Sequence, residues 1–304
     1  MDIQKIIEEI QQEITPCIPR GKVADYIPKL AAVPREKFGM AVHTIDDNQY
    51  HVGDAAEPFS IQSISKVFIF TLAFQMMGDD IWRRVGREPS GNPFNSRVQL
   101  EYENGIPRNP FINAGALVMV DAVISHHRHP ENLILDFVRM LADHPGIGVD
   151  PEVAESERIT GHRNAAMAHF LKSYQNLENE VEAVLNLYYY LCAISMSCRD
   201  LAKSFMFLAN AGACPWHKAP IVNASQAKRI NALMMTCGTY DTVGDFAYLV
   251  GLPGKSGVGG GISAVIPGRM TICAWSPGLN DSGNSLAGTL ALELFTTKTG
   301  ISIF

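Results

Sequence analysis

Phe59-Ser60-Ile61-Gln62-Ser63-Ile64-Ser65-Lys66 runs directly into the apolar segment Val67-Phe68-Ile69-Phe70-Thr71-Leu72-Ala73-Phe74. Ser63 and Lys66 are three residues apart, so on a helix they share a face at about 5–6 Å. A lysine that enters an apolar helix is desolvated, which lowers its pKa and leaves a neutral amine able to act as a base. A serine beside such an amine can serve as a nucleophile without a histidine. The alternative for the same residues is a helix cap followed by a lysine that snorkels to solvent.

A second S-x-x-K, Ser225-Gln226-Ala227-Lys228, shows why spacing alone decides little. It is followed by Arg229 and Asn231, which predicts a wet helix face. A solvated lysine keeps a pKa near 10.4 and is a poor base at neutral pH. Ser225 reads as a helix N-cap.

The chain of 304 residues is long enough for one large domain or two interleaved ones, and 47% hydrophobic residues suffice for a packed core. Net charge is −6 and no basic block occurs, so nucleic acid is not an expected partner. The first residues lack the positive start and apolar core of a signal peptide. Ile3, Ile6, Ile7, Ile10 and Ile14 instead fall at helical spacing, stopped by Pro16 and Pro19. No apolar stretch is long enough to span a bilayer; Asp121 interrupts the one near Leu117. The six cysteines form no C-x-x-C pair and read as reduced, mostly buried thiols of a cytoplasmic protein.

Strands are expected at Phe38–His43 and Tyr50–Val52, joined by the turn Asp46-Asp47-Asn48. Further strand signals appear at Ala247–Val250, Gly261–Ile266 and Met270–Trp275, with Pro267-Gly268 as a hairpin turn. Between them the pattern is helical over Glu131–Leu141, Asn164–Leu171, Glu178–Tyr190, Asp200–Asn210 and Ser225–Met235. Linkers fall near 87–95, 108–111 and 146–151. A last helix covers Ser285–Thr297. Isolated strand pairs are marginal, so the two chain ends should join in one sheet. The expected fold is α+β: an antiparallel sheet built from both ends and flanked by helices, with an inserted helical lobe. One domain would span 1–304, with a sheet lobe at about 1–62 and 239–304 and a helical lobe at about 63–238. A cleft between the lobes is the natural place for a small-molecule site, and Ser63 lies at that junction.

Gly254-Lys255-Ser256-Gly257-Val258-Gly259-Gly260-Gly261 fits neither a phosphate loop nor a dinucleotide motif: position 249 is leucine and position 262 isoleucine. It reads as a strand that lets a ligand approach the backbone, whose N–H groups could stabilise an oxyanion, or as a glycine-rich bend. Glu157-Arg158-Ile159-Thr160-Gly161-His162-Arg163-Asn164 reads as a solvated loop with Asn164 capping the next helix, or as a recognition site for a zwitterion. His126-His127-Arg128-His129 is expected to be a surface loop without metal. Tyr240 follows a turn, and spacing does not give it a role.

Taken together, these segments resemble the serine-dependent glutaminases, which share the fold of serine β-lactamases and penicillin-binding proteins. The likeness runs from Ala24-Asp25-Tyr26-Ile27-Pro28 to the last strands. It is most specific at Phe59–Lys66, Pro110-Phe111-Ile112-Asn113-Ala114-Gly115-Ala116, Glu157–Asn164, Tyr188 with Ser195-Met196-Ser197-Cys198, Cys237-Gly238-Thr239-Tyr240-Asp241, and Lys255–Gly261. The resemblance implies hydrolysis of L-glutamine to L-glutamate and ammonia through an acyl-enzyme on Ser63. Lys66 would be the base, Tyr240 a proton shuttle, and the Ser63 and Val258 N–H groups the oxyanion hole. It also implies substrate contacts from Tyr26, Asn113, Glu157, Asn164 and Tyr188, with Tyr189 as the neighbouring alternative to Tyr188. No metal or cofactor is implied, and a bare bacterial-type catalytic domain forming a homodimer or homotetramer is. Two other functions fit parts of the pattern: a β-lactamase-like acyl-serine hydrolase, for which no export signal or Ser-Asp-Asn element is found, and a non-catalytic glutamine-binding protein, which would not need both Ser63 and Lys66.

Overall fold

A computed structural model describes residues 1–90 and 98–304; the expected linker at 87–95 lies partly outside the described residues. The strands are β1 (Gly39–Thr44), β2 (Gln49–Gly53), β3 (Phe59–Ser60), β4 (Gly148–Val149), β5 (Ile194–Met196), β6 (Gly254–Ser256), β7 (Gly261–Ile266) and β8 (Met270–Trp275). The helices that position the site are α1 (Ile3–Ile14), α2 (Ser65–Met77), α3 (Asn113–His126), α4 (Pro151–Thr160), α5 (His162–Ser173), α6 (Val181–Cys192) and α7 (Leu286–Thr299).

Five strands form one antiparallel sheet in the order β2-β1-β8-β7-β6, so both chain ends build it. The join is β1 against β8, in register from Gly39↔Trp275 to Thr44↔Met270. Side chains alternate across a strand. Met40, Val42, Ile262, Ala264, Ile272 and Ala274 therefore face one core, shared with Ile7 and Ile10 of α1 and Leu292 and Phe295 of α7. Ala41, Val265, Cys273 and Trp275 face the other way, into the larger core built with the helical segments. Strands buried on both faces read as continuous apolar runs, which is how β7 and β8 stand out in the sequence.

Helix α1 is capped by the Asp2 carboxylate, which accepts from the Lys5 N–H at 3.1 Å, and its buried face is the isoleucine row. Helix α2 differs: every residue from Ser65 to Phe74 is buried, so it has no polar face and runs through the larger core against α3.

The expected strand at Ala247–Val250 is instead the helix Val243–Leu249. Phe246 and Val250, four residues apart, are buried in the sheet core while Tyr248 is exposed. That is a helical period, hidden in so short an apolar run. A second sheet, β3-β5-β4, joins Phe59–Ser60 to two short strands that lie between helices; strands of two or three residues carry no periodicity that a sequence would show. Ser225 is not the cap of its helix, Ala224–Cys237. Asn223 is, accepting from the Gln226 N–H at 2.9 Å while the Gln226 side chain accepts from the Asn223 N–H at 3.0 Å. Lys228 is exposed, as the flanking charges predict. The cysteines are all free thiols, and five of the six are buried.

Candidate active site

Ser63 sits in a single 3-10 turn, Gln62–Ile64, immediately before α2. Lys66 follows in the first turn of α2, three residues after Ser63, a spacing that puts neighbours on one helical face. The small sheet fixes the approach. Phe59 pairs with Met196, and the Ile61 N–H donates to the Ile194 carbonyl at 2.9 Å. The Ser60 hydroxyl donates to the Cys192 carbonyl at 2.7 Å and accepts from Gln62 Nε2 at 2.8 Å. Gln62 holds a left-handed φ of 50°, a costly conformation for a residue with a long side chain and one that clusters at functional sites.

The glycine-rich stretch closes the other side. After β6 the chain turns through Gly257–Gly260. A Cβ on Gly257 would lie 2.5 Å from the Ile61 oxygen and 3.3 Å from the Ser63 nitrogen, and one on Gly259 would collide with the Ser60 carbonyl. These glycines admit the serine-bearing loop, and past β6 the stretch is the glycine-rich bend that the sequence offered as one of its two readings. Val258 and Ser63 both line the same cavity.

Lys66 is 1% exposed. Burial lowers its pKa to about 8, opposed by the charge of Glu157 and by Cys192. Its Nζ donates to Asn113 Oδ1 at 2.5 Å and to the Phe111 carbonyl at 3.3 Å. Asn113, at the start of α3, also donates through Nδ2 to Asn164 Oδ1 at 3.0 Å.

Ser63, Asn113 and Asn164 open onto a cavity of about 490 Å³. Glu157 lines it from α4 and is 7% exposed, so it belongs to a buried helix face rather than a solvated loop. Burial pushes its carboxyl up to about 7, against a hydrogen bond from the Gln62 side chain and the charge of Lys66. Asn164 does not cap α5, which begins two residues earlier with Gly161 at the cap position; it lies in the first turn and faces Asn113. Tyr188 lines the cavity, with its ring centroid 5.9 Å from Lys66 Nζ. Tyr189 turns the other way, donating to the Gly161 carbonyl at 3.3 Å. Tyr26 stands at the mouth, 54% exposed. Tyr240 lies behind Ser63, 7% exposed and at φ 55°. Burial raises its pKa well above that of a free phenol, opposed by nearby Ser63, Ser256 and the Val258 backbone.

Of the residues chosen from the sequence, Tyr26, Ser63, Asn113, Glu157, Asn164, Tyr188 and Val258 line one cavity, while Lys66 and Tyr240 are buried and do not line it. Sequence reasoning missed Gln62 and Cys192, which also line it. Gln62 could have been suspected from its place next to Ser63; nothing marks Cys192, whose thiol is buried and raised in pKa. The His126–His129 segment makes no metal site: among the described residues no group of three or more His, Cys, Asp or Glu side chains is placed to hold an ion.

The glutaminase family model matches residues 21–304. The chain belongs to the glutaminase family. It is 56% identical over 304 residues to a glutaminase of Ralstonia nicotianae, covering 100% of both chains. It is also 56% identical over 305 residues to one of Rhizobium meliloti, covering 100% of this chain and 97% of that one. Among solved structures, the probable glutaminase ybaS superposes with a TM-score of 0.93 at 35% identity, covering 100% of this chain and 99% of the other. A probable glutaminase from Bacillus subtilis complexed with 6-diazo-5-oxo-L-norleucine gives a TM-score of 0.90 at 32% identity, covering 100% and 98%. The mixed antiparallel architecture of this glutaminase is that of these structures, the β-lactamase-like fold. No helix among its described residues is long and apolar enough to cross a membrane.

Proposed function

We propose that this glutaminase hydrolyses L-glutamine to L-glutamate and ammonia through an acyl-enzyme on Ser63, with Lys66 as the general base. The observation that carries the reading is the buried Lys66 amine, three residues after the serine and bonded to Asn113 and the Phe111 carbonyl, where burial lowers its pKa to about 8. A neutral lysine has two N–H donors and one lone pair. The bonds to Asn113 and the Phe111 carbonyl use both donors, which leaves the lone pair for the Ser63 proton.

In the forward direction Ser63 Oγ attacks the side-chain amide carbon and its proton passes to Lys66. The oxyanion that forms is met by the N–H groups of Ser63 and Val258; one such donor is typically worth about 10²–10³ in rate. The C–N bond then breaks. The leaving nitrogen takes the proton from Lys66 by way of the Tyr240 hydroxyl and departs as ammonia. Water attacks the ester, Lys66 takes its proton, and Ser63 recovers its own as glutamate leaves.

Glu157 pairs with the substrate α-ammonium. Asn113, Asn164, Tyr188 and Tyr26 supply amide and phenol donors for the α-carboxylate. Neither group reacts, so their binding energy fixes the amide carbon over Ser63. Asparagine is one methylene shorter, and its carbonyl would fall short of the nucleophile. Ammonia release from L-glutamine by the purified protein, with Ser63→Ala in parallel, tests the reading. Release by the wild type alone supports it, while equal release by both removes Ser63 from the chemistry.

A further inference from the structure

Tyr189 has no part in the reaction scheme, yet it touches the joint between two helices that do. Helix α4 carries Glu157, α5 carries Asn164, and Gly161 is the single residue between them. Glu157 comes four residues before that joint and Asn164 three after it, so each side chain stands about one helical turn away. The bend at Gly161 therefore sets how the two side chains are spaced at the cavity, which Glu157, Gly161 and Asn164 all line. The Gly161 carbonyl accepts two hydrogen bonds. One comes from the Ala165 N–H at 3.0 Å and begins the ladder of α5; the other comes from the Tyr189 hydroxyl at 3.3 Å. The contact is close. A Cβ on Gly161 would collide with the Tyr189 hydroxyl and lie 2.6 Å from the ring carbon that bears it. Tyr189 is 4% exposed and stands on α6 next to Tyr188, which lines the cavity. It also lines a second cavity, of about 440 Å³, so the ring has room to turn away once the contact with Gly161 is lost.

We propose that Tyr189 is a positioning residue for substrate binding: by clasping Gly161 from α6 it fixes the joint between α4 and α5, and with it the spacing of Glu157 and Asn164. The inference rests on the binding roles given above to those two residues. An amino acid carries its ammonium and carboxylate on one carbon, so their separation is fixed. A site that grips both must hold its own groups at a matching separation, and order kept in advance costs nothing at the moment of binding. Asn164 is tied to α3 through Asn113 at 3.0 Å. The Tyr189 contact ties the joint itself to α6, the helix of the third substrate contact, Tyr188.

The test measures kcat and KM for L-glutamine, inhibition by L-glutamate and a thermal melt for the wild type, Tyr189→Phe, Tyr189→Leu, Glu157→Gln and the double variant Tyr189→Phe/Glu157→Gln. Phenylalanine keeps the ring and removes only the hydroxyl. Tyr189→Phe should raise KM about 2–10-fold, the usual worth of one hydrogen bond. Tyr189→Leu also removes the ring against Gly161 and should raise KM about 10–100-fold. L-Glutamate, which bears the same two α-groups, should lose affinity in step. In both variants kcat should stay within about twofold of wild type, as when binding common to substrate and transition state is removed. The double variant should have a KM close to that of Glu157→Gln alone, since spacing to a group that no longer grips the ammonium matters little. A wild-type KM in Tyr189→Phe and in Tyr189→Leu would overturn the proposal. So would losses confined to kcat or to the melting temperature, which would make the residue purely structural, or KM losses that multiply in the double variant. A wild-type protein inactive on glutamine, or a wild-type KM in Glu157→Gln, would instead overturn the underlying reading of the site.

Discussion

The chain carries the same four-residue pattern twice, at Ser63–Lys66 and at Ser225–Lys228, and the fold treats the two in opposite ways. Lys66 points into a helix buried over its first ten residues, where desolvation draws its pKa down to about 8. Lys228 lies on the wet face of a helix with Arg229 beside it and is exposed. Ser63 sits in a turn pressed between the small sheet and the glycine-rich loop, whereas Ser225 is an exposed residue in the first turn of a helix capped by its neighbour Asn223. The lesson is that a serine–lysine pair becomes chemistry through what surrounds it. Spacing supplies proximity, and burial supplies the base.

The sharpest contrast comes from removing each hydroxyl. Ser63→Ala should lower glutamine turnover by at least about 10³-fold, as expected when a nucleophile is removed. Ser225→Ala should stay within about twofold of wild type, since exposed substitutions change little. Comparable losses from the two would erase the distinction.

The lysines come next. Lys66→Met should nearly abolish turnover, and Lys228→Met should leave it intact. The pair should also separate in stability. The folded pKa of Lys66 lies below its ordinary value of 10.5, so between about pH 8 and 10.5 the unfolded chain binds more protons. Stability from this group therefore rises with pH across that window, and its full penalty is present below pH 8. Lys66→Met removes the penalty and should raise stability at pH 7 by up to about 3 kcal/mol, less the two lost hydrogen bonds. Urea melts at pH 7 and pH 10 check this; a variant no stabler than wild type at pH 7 would mean that the amine is not strained by burial. In the wild type, kcat/KM should climb between about pH 6 and 8, as Glu157 loses its proton near 7 and Lys66 near 8. A profile flat over that range would contradict both assignments.

Glu157→Gln should act more through binding. Losing a charged hydrogen bond costs about 1.5–3 kcal/mol, so KM for glutamine should rise about 10–100-fold with a smaller change in kcat. A change confined to kcat would move Glu157 from substrate binding to the chemistry. The smallest effect belongs to the other motif: Asn223→Ala should cost about 0.5–2 kcal/mol of stability through the lost cap and leave turnover alone.

How far the sequence foretold this depends on the residue. The sheet strands were legible because strands buried on both faces make continuous apolar runs, and α1 because its isoleucines keep a helical period. Tyr188 could not be told from Tyr189 within a run of three tyrosines, as neighbouring helix positions differ only in the face they present; the fold puts Tyr188 in the cavity and turns Tyr189 toward Gly161. Glu157 looked like a solvated loop residue because its neighbours Arg158, His162 and Arg163 are polar, yet a helix can bury one side chain among exposed ones. The glycines at 257 and 259 give room to the serine's own loop, a long-range contact that no local pattern encodes.

The central claim, that Ser63 is the nucleophile, is tested most directly by trapping it. The protein would be incubated with an electrophilic analogue of glutamine, and its intact mass and labelled peptide determined alongside Ser63→Ala and Ser225→Ala. One adduct on Ser63 in the wild type and in Ser225→Ala, and none in Ser63→Ala, is the predicted result. An adduct on another residue, or one that persists in Ser63→Ala, would contradict the account.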